Sequence, residues 1–203
     1  MGSILNNIKY RMINKSLFLG ILLGIIIAKP LFSVWNKMYF EYYAKDKYLS
    51  RASENIQPPP IKGIDDTTDD DWTIKLGNGQ EISQADFEGK VVFLNFWASW
   101  CIPCLAEMPS IQSLHEKIKD DKFLMLCLSD EDDSEIKAFV SKNNYTFPIH
   151  SVLGELPGKF EVGAIPKTFI ISKKGKIAFS HSGSAKWDAD RSLEFINGLL
   201  QEQ

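Results

Sequence analysis

Two cysteines three residues apart, Cys101 and Cys104, lie where an apolar run changes into a helical pattern. The run before them, Val91–Phe96, has the length and the β-branched and aromatic content of a buried strand. The pair is therefore predicted to lie at the start of a helix, where Pro103 fits the first turn. A dithiol at that position can open and close as a disulfide. Free N–H groups and the positive end of the helix dipole would stabilise a thiolate at Cys101.

The cysteine pair has two other interpretations, a structural disulfide and half of a metal site. A structural zinc site needs four ligands, and the only further thiol in the sequence is Cys127. Cys127 lies inside an apolar run, where it is most simply a small buried apolar residue. His115, His150 and His181 show no metal-ligand spacing. Redox chemistry is therefore the favoured interpretation of the pair.

Residues 100–109 read WCIPCLAEMP. This WCxPCxxExP pattern resembles the TlpA/ResA branch of the thioredoxin superfamily, from about residue 72 to the C-terminus and not over residues 1–70. The resemblance implies an α/β, thioredoxin-like fold and the activity of a protein thiol–disulfide oxidoreductase that needs no organic cofactor. In such a protein Cys101 attacks a partner disulfide, and the more shielded Cys104 resolves the mixed disulfide.

The resemblance also implies a catalytic role for Glu107, which follows Cys104 by one helical turn. In the family, a glutamate near the buried thiol helps to move the proton of the resolving cysteine. Asn95 occupies the position at which thioredoxins carry a buried aspartate, which leaves Glu107 as the available base. The alternative is a solvated acid that is favoured near the helix start by the dipole.

Ile165 and Pro166 precede a predicted strand and match, by their order along the chain, the cis-proline site of thioredoxin-like proteins. In those proteins the residue before the proline pairs with the substrate backbone, so both are expected to bind substrate. An ordinary trans proline at the start of a strand is the alternative. Trp100 and Ile102 flank the attacking cysteine and are expected to form an apolar rim for a protein partner. The acidic run at 130–133 is expected to be a solvated helix cap.

The remaining pattern predicts a thioredoxin order of elements with an N-terminal β-hairpin extension. Strands are predicted at 72–76, 80–82, 91–96, 123–129, within 145–152, at 168–171 and at 177–181. Helices are predicted at 103–119, at 154–162 and at 190–200, with a short turn at 83–87. A further helix is predicted to be capped by Asp133 or Ser134 and to run to about 143. Pro109 is expected to kink the first helix. Helices are expected on both faces of the sheet.

Residues 1–15 carry three basic residues and no acidic residue, and an apolar run follows. The run alone is short for a bilayer span, but residues 16–35 are long enough, with Lys29 and Pro30 inside them. We expect residues 16–35 to be one transmembrane helix, a retained signal anchor that leaves 1–15 in the cytoplasm. The C-terminal domain then faces the periplasm or the cell exterior. A cleaved signal peptide is the alternative, although no A-x-A-like site follows Ala28.

Residues 36–70 have the composition of a linker, with three consecutive prolines and an acidic run, and residues 71–203 form the predicted domain. A net charge of −3 gives no reason to expect a nucleic acid partner. The expected partners are disulfide-containing exported proteins. Because an exported domain cannot reach cytosolic reductants, electrons are expected from a membrane dithiol donor.

Reduction of protein disulfides is the favoured function. The resembled family includes proteins that reduce apocytochrome c before haem attachment, so cytochrome c maturation is one candidate process. A disulfide oxidase of the same fold is the alternative. A copper-binding module of thioredoxin fold is a third interpretation, but it would need a longer spacing between Cys101 and Cys104 and a nearby partner histidine.

Overall fold

The computed structural model describes residues 34–35, 56–60, 73–158, 160 and 162–202. The chain divides into two compact units, Met1–Tyr48 and Leu49–Gln203. In the first unit, Val34 and Trp35 are helical and exposed. The rest of the predicted anchor at 16–35 and most of the predicted linker lie outside the described residues. Within those residues, no helix has the length and apolar character that a membrane span requires.

The described residues of the second unit form seven strands and three α-helices, in an order that follows the sequence prediction closely. The strands are β1 (Thr73–Leu76), β2 (Glu81–Ser83), β3 (Val91–Phe96), β4 (Phe123–Ser129), β5 (Ile149–Leu153), β6 (Lys167–Ile171) and β7 (Ile177–Ser182). The α-helices are α1 (Ile102–Lys117), α2 (Asp133–Asn143) and α3 (Asp190–Gln201), and Gln84–Phe87 forms a 3₁₀ helix.

The strands form one mixed sheet in the order β2-β1-β5-β4-β3-β6-β7. β3, β4 and β5 are parallel, and the other pairs are antiparallel. All six residues of β3 are buried, as expected for a central strand that is covered on both faces. The predicted N-terminal hairpin is confirmed as β1 and β2, and it joins the sheet where β1 pairs with β5.

The sheet has an apolar cluster on each face, but the α-helices contribute to only one of them. Leu105 of α1, Ile136 of α2 and Ile196 of α3 belong to the same cluster as Phe93. The expectation of helices on both faces is therefore wrong. Two successive right-handed crossovers, from β3 to β4 and from β4 to β5, run in one direction and place α1 and α2 on one side.

The opposite face is covered by the hairpin, the 3₁₀ helix and an irregular segment before β6. Its cluster includes Ile74, Phe87 and Phe160. The helix predicted at 154–162 is wrong, because the described residues of that segment form bends, a turn and chain without regular secondary structure. Phe160 packs instead against Phe96 and Phe169, with ring centroids 6.3 and 5.4 Å away. Tertiary burial of this aromatic ring decides the local conformation.

Two features of the helices bear on the sequence prediction. Pro109 lies inside α1, which runs as one helix from Ile102 to Lys117, and the kink expected there stays a prediction. The N-cap of α2 is Asp132, one residue before the earliest predicted cap. The predicted turn after Ser83 is confirmed as the 3₁₀ helix, closed by a capping box between Ser83 and Asp86.

The described part of the predicted linker, residues 56–60, contacts the folded domain. Pro59 is buried. The carbonyl of Gln57 accepts a hydrogen bond from the backbone N–H of Lys186 at 2.9 Å. Residues 56–60 therefore contact the loop that connects β7 to α3.

Candidate active site

The cysteine pair lies where β3 leads into α1, as the sequence predicts. The turn between β3 and α1 is fixed by backbone hydrogen bonds from Trp97 N–H to Leu128 O at 3.0 Å and from Cys101 N–H to Ala98 O at 3.1 Å. Cys101 is the N-cap of α1, and Cys104 lies in its first turn. The two form a disulfide with a Cα–Cα distance of 5.2 Å.

The two sulfurs differ in their surroundings. Cys101 is 5% exposed and Cys104 is fully buried, which agrees with an attacking and a resolving role in that order. The backbone N–H of Cys104 points at Cys101 Sγ, with a nitrogen–sulfur distance of 3.3 Å. Once the disulfide opens, this N–H and the helix start would stabilise negative charge on Cys101.

A carboxylate at the end of β4 holds the loop that precedes Cys101. Glu131 accepts hydrogen bonds from the Ser99 backbone N–H at 2.6 Å and from the Ser129 hydroxyl at 2.9 Å. The Ser99 hydroxyl donates to the second oxygen of the same carboxylate. The expectation that the run 130–133 is only a solvated cap is therefore wrong for Glu131, which ties the loop to β4.

Glu107 is completely buried one turn after Cys104, so the solvated alternative is wrong. Its Oε1 accepts a hydrogen bond from Asn95 Nδ2 at 2.9 Å. Its Oε2 accepts two, from the backbone N–H of Ala185 at 3.0 Å and from Trp187 Nε1 at 2.9 Å. Three donors thus converge on one carboxyl group inside the domain.

Burial raises the pKa of Glu107 from its usual 4.5 to about 7, because the charged form is poorly solvated. The hydrogen bonds from Trp187, Ala185 and Asn95 act in the opposite direction and limit the rise. A group with this pKa can both accept and release a proton near neutral pH, which is the property that a general acid–base catalyst needs.

Ala185, Trp187 and Thr168 belong to this site but were not predicted from the sequence. Asn95 Nδ2 also donates to Thr168 Oγ1 at 2.9 Å, which joins β3 to β6 beneath Glu107. Ala185 and Trp187 are 78 and 80 residues away from Glu107 in sequence. The sequence feature that could have indicated this contact is Trp187, an aromatic residue in a polar segment, but such a residue does not by itself indicate a contact with an acid.

Ile165 and Pro166 lie at the sheet edge where β3 ends, because Lys167 pairs with Phe96. The Ile165–Pro166 peptide bond is cis, as the resemblance implies. Pro166 is buried, and its carbonyl accepts a hydrogen bond from Gly183 N–H at 2.9 Å. Ile165 is half-buried and packs against both apolar clusters.

A groove of about 680 Å³ opens beside the cysteine pair. Trp100, Phe160 and Ile165 contribute to its largely apolar lining, and Asp130 and Glu155 add two acidic groups. Trp100 is 69% exposed and so offers an aromatic face to an incoming molecule. Of the four predicted substrate-binding residues, Trp100 and Ile165 line the groove, whereas Pro166 does not. Ile102 is half-buried and is not part of its lining.

Cys127 is free and fully buried in β4, opposite Asn95. Burial raises its pKa well above the usual value, and the charge of Glu107 adds to the effect. The predicted small apolar role is therefore confirmed. Among the described residues, no group of three histidine, cysteine or acidic side chains is placed to hold a metal ion.

The chain resembles known redox proteins over this domain. Residues 67–180, more than half of the chain, match the AhpC/TSA family. A thiol–disulfide oxidoreductase ResA of Oceanobacillus iheyensis is 29% identical over 192 residues, which cover 94% of this chain and 92% of the relative. Another ResA, from Bacillus thuringiensis, is 40% identical over 126 residues, 61% of this chain and 69% of the relative. The crystal structure of StoA from Bacillus subtilis aligns with a TM-score of 0.52 and 26% identity, over 65% of this chain and 99% of that chain.

Proposed function

Since the chain belongs to the AhpC/TSA family and is a thiol–disulfide oxidoreductase of the ResA type, we propose that it reduces disulfides of exported proteins. The observation that carries this proposal is a disulfide at the start of α1, followed one turn later by a buried carboxyl group with a pKa near neutrality. That arrangement supplies a thiol pair that can exchange with a partner and a group that can take up the proton of the shielded thiol.

The reaction begins with the reduced pair. The Cys101 thiolate attacks one sulfur of a substrate disulfide, which forms a mixed disulfide and releases the other substrate sulfur as a thiolate that then takes a proton. Cys104 gives its proton to Glu107 and attacks the sulfur of Cys101. The Cys101–Cys104 disulfide forms, and the second substrate sulfur leaves as a thiolate that takes a proton. Two electrons have then passed from the protein to the substrate.

Glu107 can act in this second step because of its surroundings. Burial of Cys104 disfavours its thiolate, so the proton needs an acceptor inside the domain. Oε2 of Glu107 already accepts from Ala185 and Trp187, whereas among the described residues Oε1 accepts only from Asn95. Oε1 is therefore the oxygen with room for a proton.

The groove beside the pair is the proposed substrate site. Its apolar lining and the exposed ring of Trp100 suit the side chains of a polypeptide around a disulfide. Ile165 also lines the groove, and its backbone would pair with that of the substrate. Trp100, Ile165 and Pro166 are accordingly the proposed substrate-binding residues.

The location of the reaction follows from the sequence of the N-terminal part. We propose that residues 16–35 anchor the protein as a single membrane span and that the redox domain faces the periplasm or the cell exterior. A membrane dithiol protein would then return the pair to its reduced state. Apocytochrome c before haem attachment is one candidate substrate, as the resemblance to the TlpA/ResA branch suggests.

Trapping of mixed disulfides tests the assigned chemistry. With Cys104→Ser, Cys101 still attacks but the product cannot resolve, so protein partners should accumulate in disulfide-linked complexes on non-reducing gels. Cys101→Ser should give no complexes and no turnover. Complexes with Cys101→Ser instead would reverse the roles of the two cysteines, and complexes with neither variant would contradict the reaction.

A labelling experiment tests the location separately. After reduction, a membrane-impermeant thiol reagent should label Cys101 in intact spheroplasts, and the protein should stay in the membrane fraction. A soluble mature form that begins after Ala28 would contradict the anchor, and labelling only after lysis would contradict the outward orientation.

A further inference from the structure

We propose that Ser110 is a positioning residue for the redox reaction: its hydroxyl holds the loop 185–187 so that two N–H groups of that loop meet the Glu107 carboxylate. The inference rests on the proposed role of Glu107 as the proton acceptor of Cys104. The hydrogen bonds of the Ser110 hydroxyl join it to Glu107, Ala185 and Trp187, so it would act on the cysteines through Glu107.

The Ser110 hydroxyl lies at the junction of α1 and the loop. It is 2.8 Å from the backbone carbonyl of Glu107 and 3.3 Å from that of Ala185, and its proton can serve either. Its oxygen accepts the backbone N–H of Trp187 at 3.1 Å. One side chain therefore joins the backbone of Glu107 to both residues that donate to the Glu107 carboxylate.

The loop depends on such contacts because it lies between β7 and α3, outside the hydrogen-bond ladder of the sheet. Another contact to the loop is the hydrogen bond from Lys186 N–H to Gln57 O at 2.9 Å. Ile56, Ser110 and Lys186 are among the residues that line a small cavity of about 140 Å³. The segment before the domain thus holds the middle of the loop, and Ser110 holds its two donors.

The Glu107 carboxylate is sensitive to these donors because it is buried. Its pKa reflects a rise from burial that the bonds from Trp187 and Ala185 partly offset. Removal of the Ser110 hydroxyl lets the loop move, which lengthens or breaks those bonds and leaves the anion less stabilised. The pKa of Glu107 should therefore rise further.

Other ionisable groups around Glu107 have to be considered in a titration. Cys104 lies on the same helix as Glu107. Cys127 of β4 has a raised pKa, to which the charge of Glu107 contributes. His181 of β7 packs against the Trp187 ring with a centroid distance of 6.0 Å, and burial lowers its pKa. Lys186 and Asp188 flank Trp187 in the loop. Since none of these is changed by a substitution at Ser110, a comparison of variants isolates the hydroxyl.

The test is a carbon-13 NMR titration of glutamate side-chain carboxyls in the oxidised, full-length protein. The Glu107 signal is identified by its absence from Glu107→Gln. In Ser110→Ala we expect its pKa to rise by at least about half a pH unit, about threefold in proton affinity. Ser110→Thr keeps the hydroxyl and should return the value toward wild type. Ser141→Ala is the matched control, because Ser141 makes the same kind of back-bond, to Lys137 O at 2.8 Å, on α2.

A Glu107 pKa that is unchanged in Ser110→Ala, or raised equally in Ser110→Ala and Ser110→Thr, would overturn the positioning role. When a mixed disulfide is formed on Cys101 of Ser110→Ala, the pH midpoint of its resolution by Cys104 should move upward by the same amount as the pKa of Glu107. The titration needs no substrate, so it can fail while the dithiol reaction stands. Conversely, wild-type resolution by Glu107→Gln would remove the proposed role of Glu107 and leave the titration result intact.

Discussion

Replacement of Glu107 by glutamine should change how the stability of the oxidised protein depends on pH. Glutamine keeps the size of the side chain and removes only the titrating group. Its carbonyl can accept from Ala185 and Trp187 as Oε2 does. Its NH₂ group would face Asn95, whose Oδ1 has no hydrogen-bond partner among the described residues and can turn to accept.

The magnitude follows from the pKa of Glu107, which is about 7 in the folded protein against the usual 4.5. Folding therefore takes up a proton between these two pH values. The stability that protonated Glu107 provides is fully present below pH 4.5 and is lost as the pH rises through 7. A difference of about 2.5 pH units corresponds to about 3 kcal/mol. The stability of Glu107→Gln relative to wild type should thus increase by about 3 kcal/mol between pH 4 and pH 9.

Urea unfolding of the oxidised protein at several pH values between 4 and 9 measures this difference. Glu116→Gln is a suitable control, because Glu116 lies on the same helix but is exposed and bonded to Gln112 at 2.7 Å. The control should show no such slope. A difference between Glu107→Gln and wild type that is independent of pH would refute the raised pKa, and a difference that falls with rising pH would refute its sign.

Three further outcomes are expected. Glu107→Gln should slow resolution of a mixed disulfide on Cys101 by a factor on the order of 10²–10⁴, measured by single-turnover kinetics, and a wild-type rate across neutral pH would remove Glu107 from the mechanism. Trp100→Ala should weaken the binding of a protein substrate about tenfold and leave the reduction of a small aromatic disulfide unchanged. Leu153→Ala, a control at an exposed residue outside the groove, should not weaken binding, and an equal loss in both variants would contradict the groove as the substrate site. Gly77→Ala should lower the free energy of unfolding by about 1–3 kcal/mol in chemical denaturation, since its Cβ would lie 1.7 Å from Ser151 Oγ, and an unchanged value would show that this close approach relaxes freely.

The elements that the sequence predicts well are those with a local signal. The buried strand β3, the helix start at Cys101 and the hairpin that turns at Gly77 each depend on neighbouring residues, and each is confirmed within two residues. The thioredoxin-like resemblance adds the position of Ile165 and Pro166. These parts of the fold and site could therefore be predicted before any contact was known.

The parts that could not be predicted depend on residues far apart in sequence. The family resemblance indicated Glu107 itself, but its enclosure by Ala185 and Trp187 was not predicted, because no local pattern brings that loop to α1. The chain around Phe160 was predicted as a helix but is irregular. Its conformation depends on the packing of Phe160 against Phe96 of the sheet, which no local pattern indicates. Burial and long-range hydrogen bonding decide both cases.

The reduction potential of the Cys101–Cys104 pair tests the central claim most directly. Equilibration of the full-length protein with glutathione or dithiothreitol buffers, followed by separation of oxidised and reduced forms, gives this potential. A reductase of exported proteins requires a reducing value, near the roughly −270 mV of thioredoxin. A value near the roughly −120 mV of a strong oxidant such as DsbA would contradict the reductase and identify the chain as a disulfide oxidase.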